Sequence, residues 1–393
     1  MNTFDVAIIG GGLIGASIAF ELAAVGLRVV LLDCQQPGRE ASWAAAGMLS
    51  PAPDSPADVP LVPLAQQSLG LYPAFIAAVE EASGQSTGYA REGTLEIFSA
   101  PDGEAERDQM AAEHKRLGLA AEPLSVDATR KLGLSLGPTA RAALWLPREG
   151  TVEPRRLMDA VLAAASHRGV MIYPDSRVTS LLHDRDRSTG VVCRGEKIAA
   201  RHVVLAAGCF SARIGHERAP GNAPEIAGEN DFVARYAPTR PVRGQMLELR
   251  PAGQTPRQVI RSRRGYLVPR RDGRMVAGST LEEAGFNKQV TPAGTRQILD
   301  AALELLPELG GAQILDSWAG LRPGTPDHLP ILGPTDMEGL LVATGHYRNG
   351  ILLAPVTAKL IREWITDGQA SLEVRAFSPL RFGNRRMNAR SAL

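Results

Sequence analysis

The sequence predicts an α/β protein built around a dinucleotide-binding unit of Rossmann type, and three observations carry that expectation. A short apolar run, Phe4-Asp5-Val6-Ala7-Ile8-Ile9, breaks into Gly10-Gly11-Gly12-Leu13-Ile14-Gly15, a G-x-G-x-x-G pattern. That pattern opens a helix-like segment and a second apolar run ending on Asp33, all within about thirty residues. Finally, 40 glycines are scattered over 393 residues without a repeat period, which suits a fold with many tight turns. At roughly 150 residues per domain, the chain has room for two or three domains.

Each part of the first unit has a physical task. Residues 4–9 form a buried strand. Gly10 allows the tight turn after it, Gly12 lets backbone approach a pyrophosphate, and Gly15 allows close packing of helix on strand. Residues 13–25 are expected as a helix closed by Gly26. Leu13 and Ile14 open it, where free N–H groups and the positive end of the dipole attract phosphate. Residues 27–32 form the second strand, and Asp33 at its end is placed to accept the hydroxyls of an adenosine ribose, with Cys34 beside it. An acid there disfavours a 2′-phosphate.

The fingerprint does not choose between FAD and NAD, and three later segments bear on the choice. Residues 40–51, with Ser42, Ala45, Ala46, Gly47 and Met48, read either as an alanine-rich helix or as backbone passing close to a second bulky ring system. Residues 202–208 form a buried strand ending in Ala207 and Gly208, preceded by a strand at 176–181. The backbone of Val178 in that strand either meets an adenine edge or is plain core. Residues 340–355 run from a strand through Gly345 and His346 to a helix that starts near Asn349 or Gly350, with Ile351 and Leu352 in its first turn. A helix start there stabilises negative charge. Flavoproteins that wrap FAD with both ends of the chain use such a return.

Composition excludes several other classes. Apolar residues make up 44% and charged residues 22%, unlike a disordered chain or a membrane protein. Lys plus Arg (43) balances Asp plus Glu (42), so no basic field invites nucleic acid. Cys34, Cys193 and Cys209 make neither a disulfide framework nor a CxxC pair, so no metal is expected and a reducing, cytoplasmic setting is. The longest apolar stretch, 6–20, stops at Glu21, short of the ~20 residues of a membrane span. It also lacks the basic leader of a signal peptide.

Four motifs together resemble the D-amino acid oxidase superfamily of FAD amine oxidases, and most closely its glycine oxidase branch linked to thiamine biosynthesis. They are Val6-Ala7-Ile8-Ile9-Gly10-Gly11-Gly12-Leu13-Ile14-Gly15, Ala44-Ala45-Ala46-Gly47-Met48-Leu49, Trp318-Ala319-Gly320-Leu321-Arg322-Pro323-Gly324-Thr325-Pro326-Asp327, and Gly345-His346-Tyr347-Arg348-Asn349-Gly350-Ile351-Leu352-Leu353-Ala354-Pro355. The resemblance implies a discontinuous FAD-binding domain of glutathione-reductase type from residues 1–90, 150–235 and 320–370. It implies a substrate-binding domain on a mixed, mostly antiparallel sheet from 91–149 and 236–319, and a C-terminal tail at 371–393. Strands of that sheet are expected at 93–99, 241–249, 266–270 and 275–278, with solvated helices at 105–117 and 292–306. The tail from Arg381 onward is expected to fray.

The carboxylate of a small amino acid is best met by the planar double donor of arginine. By the motif match, Arg322 binds that carboxylate, Tyr266 adds a phenolic hydrogen bond, and Arg348 lies near the amino group and the flavin. These three form the expected catalytic set, with Met246 joining them as a substrate-binding wall. His346 is either a base or a positioned loop histidine, and His328 is a loop residue. The run Arg261-Ser262-Arg263-Arg264 reads as a solvated turn able to gate the pocket or steer an anion. The implied reaction is hydride transfer from the substrate Cα to a noncovalent FAD, hydrolysis of the imine, and reoxidation by oxygen to give hydrogen peroxide. Geometry and electrostatics supply most of such catalysis. A homo-oligomer and a link to thiazole synthesis are implied as well. Three alternatives stay open at this point: a dehydrogenase of glycine or D-amino acids passing electrons to a quinone or partner subunit, a flavoprotein modifying an RNA base, and a noncatalytic FAD-binding scaffold. Glycine, sarcosine, D-alanine and D-proline differ by a methyl or a ring, which is worth only ~1–3 kcal/mol of discrimination and is not legible here.

Overall fold

The computed structural model describes residues 3–53, 55–99, 101–130, 134, 136–218 and 231–386. Two large sheets organise it. In the nine-stranded sheet, Thr3–Ile9 lies between Val29–Leu32 and Glu196–Leu205, parallel to both, and Leu340–Thr344 runs parallel beyond Glu196–Leu205. A strand with neighbours on both edges and cover on both faces must be apolar throughout, which is why residues 4–9 show a run rather than an alternation. Val6 and Ile8 face a cluster shared with the helices Leu13–Ala24, Val62–Ser83, Pro154–His167 and Gly350–Thr366. Phe4, Ala7 and Ile9 face a second cluster, built with the antiparallel strands Val178–Asp184 and Arg187–Cys193.

Gly350–Thr366 contains Pro355, which has no N–H to give to the Ile351 carbonyl one turn back. Two buried hydroxyls from Val62–Ser83 splint the gap. Tyr72 Oη donates to the Ile351 carbonyl at 2.7 Å, while Ser68 Oγ donates to the Leu352 carbonyl and accepts from the Val356 N–H at 3.3 Å. The stretch Pro56–Ser83 is long and apolar enough to cross a membrane by length and composition, so residues 6–20 are not the longest apolar segment. Its Leu64, Ala65, Ser68, Tyr72, Phe75, Ile76 and Val79 recur at helical spacing and pack inside the protein, as a core helix does.

The eight-stranded sheet runs in the order Gln313–Gly324, Arg240–Arg250, Met275–Gly278, Gly265–Pro269, Val259–Ser262, Thr94–Phe98, Ala142–Leu146 and Glu122–Ser125. All its pairings are antiparallel except Val259–Ser262 with Thr94–Phe98. Strand alternation divides its faces. Leu247, Leu249, Leu267 and Ala277 pack under the amphipathic helix Pro292–Leu305, whose Ile298, Ala302 and Leu305 are buried rather than solvated. Met246, Val268, Val276 and Trp318 turn the other way, onto Ala44 and Ala46. The strand Gln313–Gly324 passes through position 319/320 without interruption.

Two expectations need correction. Arg261 is not in a solvated turn: it lies in Val259–Ser262, where its guanidinium bonds Glu96, Glu149 (3.4 Å) and Ser50 Oγ (2.9 Å). Two buried carboxylates with no other cation bonded to them among the described residues demand it there. The C-terminal segment does not fray at Arg381. Arg381 donates to both oxygens of Asp327 (2.8 and 3.1 Å) and to the Leu329 carbonyl (3.0 Å). Residues 387–393 lie outside the described residues.

Candidate active site

A cavity of about 350 Å³ lies between the two sheets, and most of the residues singled out in the sequence line it. At one end are Gly10, Gly12, Leu13 and Ile14, with Asp33, Cys34 and Val178 beside them. Gly10 has φ +106°, and a methyl there would meet the Ala206 carbonyl oxygen at 2.4 Å, so only glycine fits this turn. Gly15 lies behind the lining: a methyl there would meet the Gly10 carbonyl oxygen at 1.9 Å, which makes it the residue that lets helix and strand close up.

The start of Leu13–Ala24 faces the cavity with no acidic residue in its first turn and no side-chain cap on Gly12. Ser42 Oγ accepts the Leu13 N–H at 2.9 Å. Asp33 accepts N–H bonds from Gly11 (2.7 Å) and Gln35 (3.0 Å), one to each oxygen. Burial raises its carboxyl pKa above the usual value, while those two N–H bonds oppose the rise. Each oxygen keeps a lone pair for a hydroxyl.

The middle of the cavity is lined by Ala45, Ala46, Gly47 and Met48 on one side and by Ala207 and Gly208 on the other. The start of Gly350–Thr366 closes it, with Gly350 and Ile351 in the lining. Asn349 is the N-cap residue but makes no side-chain cap, and it does not line the cavity. Leu352 does not line it either; its carbonyl is turned to Ser68. His346 lines it and is buried, with Nε2 3.0 Å from Thr357 Oγ1. Burial pulls the imidazole pKa down to about 3, so it stays neutral and is too weak to act as a strong base.

The far end is formed by the eight-stranded sheet. Arg322 donates to the Thr280 carbonyl (3.2 Å) and to Ser279 Oγ (2.8 Å), and no carboxylate among the described residues pairs with it. Burial lowers the pKa of its guanidinium, with Tyr266 opposing. Tyr266 Oη donates to Met246 Sδ at 3.4 Å. Tyr347, at φ +48°, is tied by its N–H to the Pro323 carbonyl (3.1 Å), so the exposed Arg348 is carried on a turn fixed to the Arg322 strand. His328 packs its ring 5.2 Å from that of Tyr347 and does not line the cavity.

Sequence reasoning passed over the seats that hold these groups. A methyl on Gly244 would fall 2.1 to 2.4 Å from Nη1, Nη2 and Cζ of Arg322. A methyl on Gly278 would fall 2.6 Å from Met246 Sδ and 2.8 Å from Tyr266 Oη. A signal existed, because an isolated glycine inside a strand marks close approach of another group. Together, the cavity offers a helix start and an acid at one end, a second helix start in the middle, and at the other end a cation with no carboxylate partner among the described residues, beside a phenol. That set suits a long dianionic dinucleotide and a small carboxylate.

A family described as DAO, FAD dependent oxidoreductase, matches residues 5–364. The chain belongs to this family. Among curated DAO relatives, the bifunctional protein ThiO/ThiG of Synechocystis sp. is 36% identical over 388 residues, covering 97% of this chain and 54% of the relative. The chain thus spans about half the length of that relative. The glycine oxidase of Geobacillus kaustophilus is 32% identical over 386 residues, covering 96% of this chain and 97% of the relative. A solved structure of glycine oxidase from Geobacillus kaustophilus superposes with a TM-score of 0.85 at 30% identity, covering 97% of this chain and 99% of that one.

Proposed function

We propose that this DAO-family chain oxidises glycine or another small amino acid, such as sarcosine or a small D-amino acid, with noncovalently bound FAD, giving the 2-oxo acid, ammonia or an amine, and hydrogen peroxide. The observation that carries this reading is Arg322, a guanidinium held in the cavity with no carboxylate partner among the described residues. A desolvated cation lacking an anion is the complement of a substrate carboxylate, and the fork geometry allows two parallel bonds. Relatives named glycine oxidase support the choice of substrate class.

The chain's residues fit the cofactor. Gly10, Gly12, Leu13 and Ile14 would hold the pyrophosphate, Asp33 the ribose, and Val178 and Cys34 the adenosine end. Ser42, Ala45, Ala46, Gly47, Met48, Ala207, Gly208 and His346 would border the ring system. Gly350 and Ile351 would place a helix start by its most electron-rich edge. FAD, when bound, supplies the two-electron acceptor that takes hydride from the substrate carbon and passes the electrons to oxygen. Arg322 fixes the carboxylate, and the Tyr266 hydroxyl turns from Met246 Sδ to the same group. Arg348 and the Tyr347 turn border the amine. His346 does not take the ammonium proton, because its own pKa is about 3. Orientation therefore does most of the catalysis. We assign cofactor binding to the nine-stranded sheet and its helices and substrate binding to the eight-stranded sheet. The reading extends to a homo-oligomer, a cytoplasmic setting and a link to thiazole synthesis.

The test is a visible spectrum of purified protein during separate anaerobic additions of glycine, sarcosine, D-alanine and D-proline, followed by air. Bleaching of a flavin band by one of them and recovery with peroxide is expected. Bleaching without recovery in air replaces the oxidase with a dehydrogenase. Absence of bleaching by all four removes the substrate class.

A further inference from the structure

The loop Ala44-Ala45-Ala46-Gly47-Met48 lines the cavity without one hydrogen-bonding side chain, so its polar offer to a ligand is backbone. Three of its carbonyls are engaged elsewhere. Trp318 Nε1 donates to the Ala44 carbonyl at 3.0 Å, Arg270 Nη2 to the Ala46 carbonyl at 2.8 Å, and the Val152 N–H to the Gly47 carbonyl at 2.9 Å. In a trans peptide the C=O of one residue and the N–H of the next point in opposite directions. Carbonyls of Ala44 and Ala46 fixed on the eight-stranded sheet therefore turn the N–H groups of Ala45 and Gly47 to the other side, where these residues border the cavity.

Among the described residues, the side-chain hydrogen bonds of Arg270 go to carbonyl oxygens. It follows the strand Gly265–Pro269, which carries Tyr266, and its second bond goes to another carbonyl, that of Val152 (3.3 Å). The neighbouring acids Glu153 and Glu248 are bonded instead to Arg274. Burial draws the Arg270 guanidinium down to about 10, with Glu153 opposing, so this cation is desolvated in order to serve carbonyls.

We propose that Arg270, together with Trp318, is a positioning residue that holds the Ala46 and Ala44 carbonyls from behind and so presents the N–H groups of Ala45 and Gly47 to an acceptor edge of the flavin. This rests on the FAD reading above. It also joins the two halves of the site physically, since one short strand carries the phenol for the substrate and the residue directly after it carries the guanidinium for the cofactor loop.

The test is titration of FAD into apoprotein of wild type, R270Q, R270K, W318F and, as a control, R274Q, which breaks the adjacent ion cluster but touches no loop carbonyl. Affinity, the flavin absorption spectrum and the midpoint potential are read. Loss of one oriented donor set should weaken FAD about tenfold in R270Q and in W318F. Both should shift the flavin bands and make the potential more negative, because N–H donors favour the electron-rich reduced ring. R270K, keeping one donor for Ala46, should recover part of the affinity. R274Q should lower Tm and leave spectrum and potential in place. A wild type that binds no FAD removes the functional reading itself. A wild type that binds FAD, with R270Q and W318F matching it in all three readouts or with R274Q shifting them equally, overturns the positioning role. Should R270Q not fold, R270K and W318F decide by the same criterion.

Discussion

Replacing Gly244 by alanine should abolish substrate capture while leaving the fold and the cofactor in place. The added methyl would sit 2.1 to 2.4 Å from the Arg322 guanidinium, inside its van der Waals surface. What it meets is the end of a long side chain rather than backbone, so Arg322 swings away and the strand Arg240–Arg250 stays. Folding then gains about 0.5–1 kcal/mol from alanine in place of glycine. It loses the bonds of Arg322 to Thr280 and Ser279, about 0.5–1.5 kcal/mol each. The net is a loss of about 0–2.5 kcal/mol, well below the effect on catalysis. Catalysis loses two charge-assisted bonds to the substrate carboxylate at about 1.5–3 kcal/mol each, which lowers kcat/KM by two to four powers of ten. Peroxide release against glycine concentration gives that ratio. Bound flavin absorbance and Tm, both expected near wild type, show that the loss is local. A G244A enzyme with wild-type kcat/KM would show that Arg322 does not hold the carboxylate from this seat.

Other outcomes follow from features away from that seat. Tyr72→Phe leaves the Ile351 carbonyl buried without a donor and should destabilise the protein by about 1–3 kcal/mol. P355A restores the missing N–H, so Y72F/P355A should regain most of the loss in a denaturation cycle, and strictly additive losses would contradict the splint. His346 titrates at about 3 in the folded protein against 6.5 unfolded, so between these values the unfolded chain binds the extra proton and stability falls as pH falls. The slope reaches about 1.4 kcal/mol per pH unit. H346Q should flatten the Tm–pH curve over that window, and an unchanged slope would mean the ring protonates in the native state. R381A and D327N should each lower stability by about 1–3 kcal/mol, with no further loss in the double variant. An R381A protein with wild-type Tm would show that the C-terminal segment is not latched.

Legibility from sequence followed the range of the interactions. The turn at Gly10 and the helix start at Leu13 were readable because strand, glycines, helix and acid lie in order along a few tens of residues. The second helix start at Gly350 was readable for the same reason. The strand at 202–208 was recognised but belongs to a longer one, Glu196–Leu205, since the charged residues at its outer end are paired in register with Arg187–Cys193 and not buried. Arg261 looked solvated because the three residues after it, Ser262, Arg263 and Arg264, are polar or basic; its acids come from elsewhere in the fold, Glu96 from the strand Thr94–Phe98 and Glu149 from the turn before Gly150. Gly244 and Gly278 looked like ordinary strand glycines because the atoms they make room for arrive from distant positions. The same holds for Arg270, whose partners Ala46 and Val152 lie far from it in sequence and meet it only in the folded chain.

The interleaving of segments in the nine-stranded sheet has a consequence during synthesis. Thr3–Ile9 leaves the ribosome before its partner Glu196–Leu205, which follows about 10–40 s later at ~5–20 residues per second, and Leu340–Thr344 comes later still. Through that interval a strand of Val, Ala and Ile has one free edge, and the glycine turn lacks the wall that Ala207 and Gly208 supply. The nascent chain can therefore neither close the nucleotide groove nor hide this strand. Completion of the groove waits for Leu340–Thr344. A chain stopped before Leu340 should accordingly be recovered without flavin, however intact its first thirty-three residues.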